Sequence, residues 1–359
     1  MRPITRIAMV VASSTALMLA SSFSAEADQI RDRQWHIAAL DIPAAQSLSQ
    51  GEGVLVAVAD TGVDASRGEL AAAVVPGKEF GEQANGDGRT DTDGHGTAMA
   101  GLIAGRGLAG GSGVLGVAPK AQILPVRTVR SEFGGSPVNL AAGIEWAVSQ
   151  KAQVICIAAG TSEYPEVRRA VEAAIAADAV VVASAGNTTT AKQVAFPATI
   201  PGVVAVAGTD KSGDHAPISA AGPEVTLAAP AVDIVSTGAF EKYVTGDGTS
   251  NSAAIVAGVV ALVRAKYPHL PAAEVVRRLT ATATDRGKPG RDEEYGYGIV
   301  NPVAALTATV LPSSQAASVG PSPSPPPSQG RSPVGWVIVG GSVVLAGVGL
   351  LAWRRRRGR

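Results

Sequence analysis

Three short glycine-marked turns carry residue types that together could activate a serine. Asp60 follows the apolar run 54–59, His95 stands within the turn 93–97, and Ser250 begins an alanine-rich stretch. A serine hydroxyl is a weak nucleophile until a base takes its proton, and a carboxylate can hold that base in the right tautomer. The three residues therefore indicate acyl chemistry, with Ser250 as nucleophile, His95 as base and Asp60 as its orienting group.

A fourth side chain, the carboxamide of Asn187, follows the apolar run 180–185. Its N–H group could donate to the oxyanion that forms during acyl transfer. Simpler interpretations stay open at this point. Asp60 could be a helix cap or turn residue, and Asn187 could serve only in a left-handed turn. Ser184 and Ser252 are alternative nucleophiles.

The elements that must position these groups indicate an α/β domain. The runs 54–59 and 180–185 are short and continuously apolar, which is typical of strands buried on both faces of a parallel sheet. The segment Ala98–Ala104 favours a buried helix. Functional groups in such sheets collect beyond the carboxyl ends of strands, where Asp60 and Asn187 fall.

The order of these motifs resembles that of the subtilisin-like serine proteases, the subtilases, for which Asp, His, Ser is the reference triad order. The matching motifs run from about Gly51 to about Leu306: 60–62, 95–97, 100–101, 184–187, 196–198, 229–230, 248–250 and 295–301. The resemblance implies a three-layer α/β domain with a mostly parallel sheet between helices. It also implies a serine endopeptidase that cleaves peptide bonds through an acyl-enzyme, with Asp60, His95 and Ser250 as triad and Asn187 in the oxyanion hole.

The same resemblance suggests where a polypeptide substrate binds. Two edges should pair with the extended peptide, and two segments should wall the pocket for the residue before the scissile bond. The implied residues are Glu132, Phe133, Gly134, Gly135, Ala158, Ala159, Gly160, Ala183, Ser184, Ala185 and Gly186. Small walls without charge favour a small or apolar substrate side chain.

Two positions beside the nucleophile depart from the family's pattern. Asn251 stands where Met or Phe is usual, and Ala254 stands where Pro is usual. Proline there would only favour the first turn of a helix, so Ala254 is a tolerable replacement. Asn251 could alter the leaving-group side of the cleft.

No cofactor and no metal are expected. The loop through which subtilases often bind calcium corresponds to Gly107–Gly113, which has neither Asp nor Asn. Asp87, Asp91 and Asp93 form an acidic loop near His95, of a kind that is usually solvated. Cys156, the one cysteine of the chain, is expected in the core. The remaining histidines, His36, His215 and His269, are expected on the surface or in loops.

The two ends of the chain predict an extracytoplasmic, membrane-anchored protein. A basic start, an apolar stretch and an A-x-A site indicate a secretory signal peptide. The charge-free run 334–353 could cross a bilayer core of roughly 30 Å, and the arginines after it would stay in the cytoplasm. The predicted organisation is signal peptide 1–27, extension 28–50, peptidase domain 51–310, disordered stalk 311–333, transmembrane helix 334–353 and tail 354–359. The proline-rich part of the stalk could instead bind an SH3-like module.

This organisation resembles the mycosins, membrane proteases that accompany type VII secretion in actinobacteria. The resemblance implies a bacterial, single-pass type I protein of the cell membrane whose partner is a secretion complex. A structural brace of that complex, with weak or dispensable catalysis, is the alternative. Thirty basic residues balance thirty acidic ones, so no nucleic-acid partner is indicated.

Overall fold

The computed structural model describes residues 30–82, 84–129, 136–190 and 192–311. The predicted signal peptide, transmembrane helix and basic tail, the stalk beyond Leu311, and the segment Glu132–Gly135 lie outside these ranges. Among the helices inside them, none is long and apolar enough to cross a membrane.

A seven-stranded parallel sheet forms the centre of the domain, in the order β2-β3-β1-β4-β5-β6-β7. An antiparallel hairpin, β8-β9, stands apart from it. The strands are β1 Leu55–Asp60, β2 Lys78–Glu79, β3 Gln122–Arg127, β4 Val154–Ile157, β5 Val180–Ser184, β6 Val204–Thr209, β7 Val225–Pro230, β8 Ile234–Thr237 and β9 Tyr243–Gly246. The predicted α/β class and mostly parallel sheet are confirmed.

Helices cover both faces of this sheet. They are α1 Trp35–Ala39, α2 Ile42–Leu48, α3 His95–Ala104, α4 Pro137–Ser149, α5 Pro165–Ala176, α6 Thr249–Lys266, α7 Ala272–Ala281 and α8 Pro302–Thr307. Helix α6 is buried almost all round and packs across β4 to β7. A helix that is apolar on every side must lie inside the protein.

Alternate residues of each strand feed two separate hydrophobic clusters. In β1, Val56 and Val58 pack with α3 and α6, whereas Ala57 and Ala59 pack with α4 and α5 on the other face. This alternation follows from the two-residue period of a strand. Because both faces are covered, the central strands β1, β4 and β5 are buried and apolar along their length, and the polar side chains of β1 and β5 occur at their ends.

The segment 30–49 before the peptidase domain is bound to it by side-chain hydrogen bonds. The guanidinium of Arg31 donates to the carbonyls of Ser112 and Gly113, and the Trp35 indole donates to Val232. Gln34 pairs with both the N–H and the carbonyl of Leu115. The loop 107–113, expected to lack calcium ligands, thus has two carbonyls bound by a side-chain cation.

His36 of α1 lies fully inside this contact, so the expectation of a surface or loop position for it is wrong. His269 is exposed, as expected. Neither ring nitrogen of His36 has a hydrogen-bond partner within the described residues. Burial therefore disfavours the imidazolium and lowers the pKa of His36 from 6.5 to about 4.

Acidification should destabilise the domain through His36. The unfolded state takes up the proton near pH 6.5 and the folded state near pH 4, so stability present above pH 6.5 is lost as the pH falls towards 4. The loss should reach roughly 3 kcal/mol. Urea unfolding of the full chain between pH 7 and pH 4 measures it. His36→Phe should flatten this dependence, and His269→Phe is the matched surface control. If the free energy of unfolding of His36→Phe fell with pH as steeply as that of the wild type, the acid sensitivity would not be due to His36.

Candidate active site

Asp60 and His95 meet at the edge of the sheet where β1 ends and α3 begins. Nδ1 of His95 lies 2.8 Å from Oδ1 and 3.0 Å from Oδ2 of Asp60. Asp60 is buried, and the His95 ring is partly open to the cleft. A carboxylate can only accept, so Nδ1 carries the proton and Nε2 of the neutral ring is an acceptor.

A glycine makes this approach of helix and strand possible. A Cβ on Gly96 would lie 2.1 Å from the carbonyl oxygen of Gly62 and 3.1 Å from Cβ of Asp60. The Gly96 N–H donates to Oγ1 of Thr61 at 2.9 Å. The glycines and threonine of the two motifs therefore have a packing role beside the side chains that carry chemistry.

Asp91 fixes the start of α3. Its Oδ1 accepts from the N–H of Gly94 at 2.8 Å, and its Oδ2 accepts from the N–H and hydroxyl of Thr97 at 3.0 and 2.6 Å. Only 3% of Asp91 is exposed. The expectation of a solvated acidic loop is thus wrong for Asp91, because its carboxylate satisfies the first N–H groups of the helix. The sequence alone does not reveal this role of Asp91, since a capping aspartate and a solvated aspartate occur in the same kind of glycine-rich sequence.

Ser250 and Asn187 lie side by side at the start of α6. A Cβ built on Gly248 would be 3.1 Å from Oγ of Ser250 and 3.4 Å from Nδ2 of Asn187. Ser250 is the second residue of α6, where backbone N–H groups have no partner within the helix. The hydroxyl of Ser250, the carboxamide of Asn187 and the unpaired N–H groups at the start of α6 therefore lie close together.

Thr249, which the sequence analysis did not single out, sets the orientation of the Asn187 side chain. Oδ1 of Asn187 accepts from the N–H of Thr249 at 3.0 Å and from its hydroxyl at 3.1 Å. The Thr249 hydroxyl oxygen also accepts from the N–H of Gly186. Since Oδ1 is held in this way, Nδ2 must face the cleft.

Two pockets share His95, Asp247 and Ser250. One, the strand-side pocket, has a volume of about 740 Å³ and is lined by the ends of β4 and β5 and by Asn187. The other, the hairpin-side pocket, has a volume of about 500 Å³ and lies between α3 and the β8-β9 hairpin. Pockets of this size suit single side chains of a bound polymer or a small molecule.

The structure places most of the described substrate-binding candidates at the strand-side pocket. The lining includes Ala158, Ala159, Gly160, Ser184 and Gly186. Ala183 and Ala185 are the exceptions to the prediction. Both are fully buried in the hydrophobic cluster beneath, because alternate residues of β5 and its continuation point away from the cleft. Glu132–Gly135 lie outside the described residues.

The residues that follow Ser250 differ in their surroundings. Ser252 is fully buried and donates to the carbonyls of Ala229 and Pro230, so it is no candidate nucleophile. Asn251 lines the hairpin-side pocket, and its Nδ2 donates to the carbonyls of Ala231 and Gly246 at 3.3 and 3.1 Å.

Cys156 lies in β4, directly beside β1. It is fully buried, and burial together with the nearby charge of Asp60 raises the pKa of its thiol. It is an unreactive core residue, as expected. Within the described ranges, no three His, Cys, Asp or Glu side chains gather as a metal site would require.

A sequence model of the subtilase family matches residues 51–298. The chain belongs to the subtilase family. It is 37% identical to subtilisin DY of Bacillus licheniformis over 262 residues, which are 71% of this chain and 92% of that protein. As a subtilase, it is a serine-type endopeptidase.

This subtilase is also similar to the mycosins. It is 35% identical to mycosin-3 of Mycobacterium tuberculosis over 392 aligned positions, which cover 89% of this chain and 83% of the relative. The solved structure of the MycP3 protease from the type VII (ESX-3) secretion system has a TM-score of 0.66 and 34% identity, covering 77% of this chain and 88% of that one. The likeness to mycosin-3 thus spans more of the chain than the likeness to subtilisin DY.

Asp91→Ala should lower both stability and activity of the subtilase. It removes the acceptor of several buried N–H and hydroxyl groups at the start of α3, a loss of about 2–4 kcal/mol in the free energy of unfolding. His95 begins the same helix, so hydrolysis of a peptide ester should fall as well. Urea unfolding and ester hydrolysis measure the two effects. Asp93→Ala, at an exposed position in the same turn, is the control, and equal stability of the two variants would contradict the capping role.

Proposed function

We propose that this subtilase cleaves polypeptides outside the cytoplasm through an acyl-enzyme formed on Ser250. The observation that carries the proposal is the Asp60–His95 contact at 2.8 Å, beside a cleft into which Ser250 and Asn187 both open. Nε2 of His95 takes the proton of the Ser250 hydroxyl as that oxygen attacks the substrate carbonyl. The buried charge of Asp60 then stabilises the imidazolium.

The oxyanion is bound by Nδ2 of Asn187 and by the Ser250 N–H at the start of α6. Both donors are fixed before substrate arrives, since Thr249 holds the carboxamide and the helix holds the backbone. Such donors act on charge that appears only in the tetrahedral intermediate, so they lower the barrier rather than strengthen substrate binding.

The residue before the scissile bond enters the strand-side pocket. Ala158, Ala159, Gly160 and Ser184 present small side chains without charge, and Phe196 adds an aromatic surface to the lining. This chemistry suits a small or apolar side chain. The peptide beyond the bond leaves towards the hairpin-side pocket.

The proposed setting is a bacterial cell membrane, with the peptidase domain on its outer side. The charge-free run 334–353 followed by arginines supports a single-pass anchor, and the amino-terminal segment supports export. The chain is similar to mycosin-3 and to the MycP3 protease, and the latter is described as coming from a type VII secretion system. This similarity supports a role beside such a secretion complex.

A fluorophosphonate probe tests the nucleophile directly. The full chain, purified in detergent, should be labelled, because the probe reacts only with a serine whose proton is removed by a base. Ser250→Ala should abolish labelling. Ser184→Ala, at a second serine of the same pocket, should retain it. Absence of labelling in the wild type, where a known subtilase reacts, would overturn the proposal.

Asn187→Ala should lower kcat with little change in KM. In subtilisin, the reference case for this effect, loss of the corresponding donor costs about 10²–10³ in kcat, and the same order is expected here. Steady-state hydrolysis of a peptide substrate measures kcat and KM separately. Thr188→Ala, at the exposed neighbouring position, is the control. A kcat equal to that of the wild type would remove Asn187 from the oxyanion hole.

A further inference from the structure

Asn251 is the first residue after the nucleophile, and its amide has a defined orientation. Two backbone carbonyls, those of Ala231 and Gly246, lie within hydrogen-bond distance of one end of its side chain. Carbonyls only accept, so the amide nitrogen must occupy that end and Oδ1 must occupy the other.

Oδ1 of Asn251 has no hydrogen-bond partner among the described residues, and it is not one of the fully buried unpartnered atoms. The residue as a whole is 7% exposed, and it lines the hairpin-side pocket. Oδ1 is therefore an acceptor without a protein donor that keeps some exposed surface, on a residue that lines that pocket. A peptide that fills the pocket removes this oxygen from water, and an acceptor buried without a donor is costly, so a ligand that brings a donor is favoured.

The walls of the hairpin-side pocket are held in place on both sides. In β8, the hydroxyls of Ser236 and Thr237 donate to the carbonyls of Ala98 and Thr97 in α3, at 2.7 and 2.9 Å. In β9, the Tyr243 hydroxyl donates to Oε1 of the buried Glu69 at 2.7 Å. The pocket thus has a fixed width beside the nucleophile.

We infer that Oδ1 of Asn251 recognises a hydrogen-bond donor on the first residue of the leaving group, a serine or threonine hydroxyl. The inference rests on the proposed function, which directs the acyl part to the strand-side pocket and the leaving part to the hairpin-side pocket. The Ser236 hydroxyl on the pocket wall is already used, since it donates to the backbone of α3. A substrate hydroxyl therefore meets an open acceptor at this position.

Acyl transfer to amino-acid amides isolates this side of the cleft, because the acyl part stays the same. A peptide methyl ester acylates Ser250 and releases methanol. The amine of the added amide then attacks the ester carbon. A C–N bond forms, the bond to Oγ of Ser250 breaks, and the amine proton passes through His95 to that oxygen. Threoninamide and valinamide are a matched pair, since they differ by a hydroxyl in place of a methyl group.

The full chain in detergent should transfer the acyl group to threoninamide about two- to tenfold better than to valinamide, the range that one hydrogen bond provides. Asn251→Leu should bring the ratio close to one. Lys242→Gln, at an exposed wall position of the same pocket, should keep the wild-type ratio. Loss of the preference in Lys242→Gln would overturn the inference by assigning it to the wall charge.

If Asn251→Leu fails to fold, the ratio of acyl transfer to threoninamide over valinamide in the wild type still tests the role of Asn251. A ratio near one, or a preference for valinamide, overturns the role of Asn251 while ester hydrolysis leaves the proposed function standing. No hydrolysis of the ester and no fluorophosphonate labelling would overturn both together.

Discussion

The packing of the first turn of α3 against the end of β1 is the contact on which the site depends. Gly96 lets the helix backbone approach Gly62 and Asp60 more closely than any side chain would permit. Asp91 holds the same turn from its other side. These two contacts place the helix where His95 can form its hydrogen bond of 2.8 Å with Asp60.

The parallel sheet extends this local geometry into a cleft. The carboxyl ends of β1, β4 and β5 lie at one edge, where they present Asp60, the segment 158–160 and the segment 184–187. The start of α6 adds Ser250 at the same edge. Because the β8-β9 hairpin is bonded to α3, the second wall of the cleft is tied to the helix that carries His95.

The sequence predicts those parts of the molecule that local pattern determines. The strands β1 and β5 are continuous apolar runs, and the structure confirms both. It also has the predicted helix after His95 and the predicted helix start at Ser250. The burial of His36 could not be predicted, because it depends on where the segment 30–49 lies on the domain.

Two further differences between prediction and structure have separate causes. The placement of Ala183 and Ala185 in the core follows from the two-residue period of β5, because neighbouring residues of the motif face opposite sides of the sheet. The role of Asp91 could not, because a capping carboxylate has no distinct signature in a glycine-rich loop. The sequence marks Asn251 as unusual, but the direction of its amide follows only from the positions of the Ala231 and Gly246 carbonyls in the folded chain.

In the proposed mechanism, the hydrogen bonds from Thr249 to Oδ1 of Asn187 determine when the cost of orienting the oxyanion donor arises. A solvent amide must reorient when negative charge develops, and that reorientation is part of the barrier. Here folding has already oriented the carboxamide, so no free energy is needed to orient it in each catalytic cycle. Its electrostatic effect therefore depends on how rigidly the start of α6 is held against β5, as much as on the amide itself.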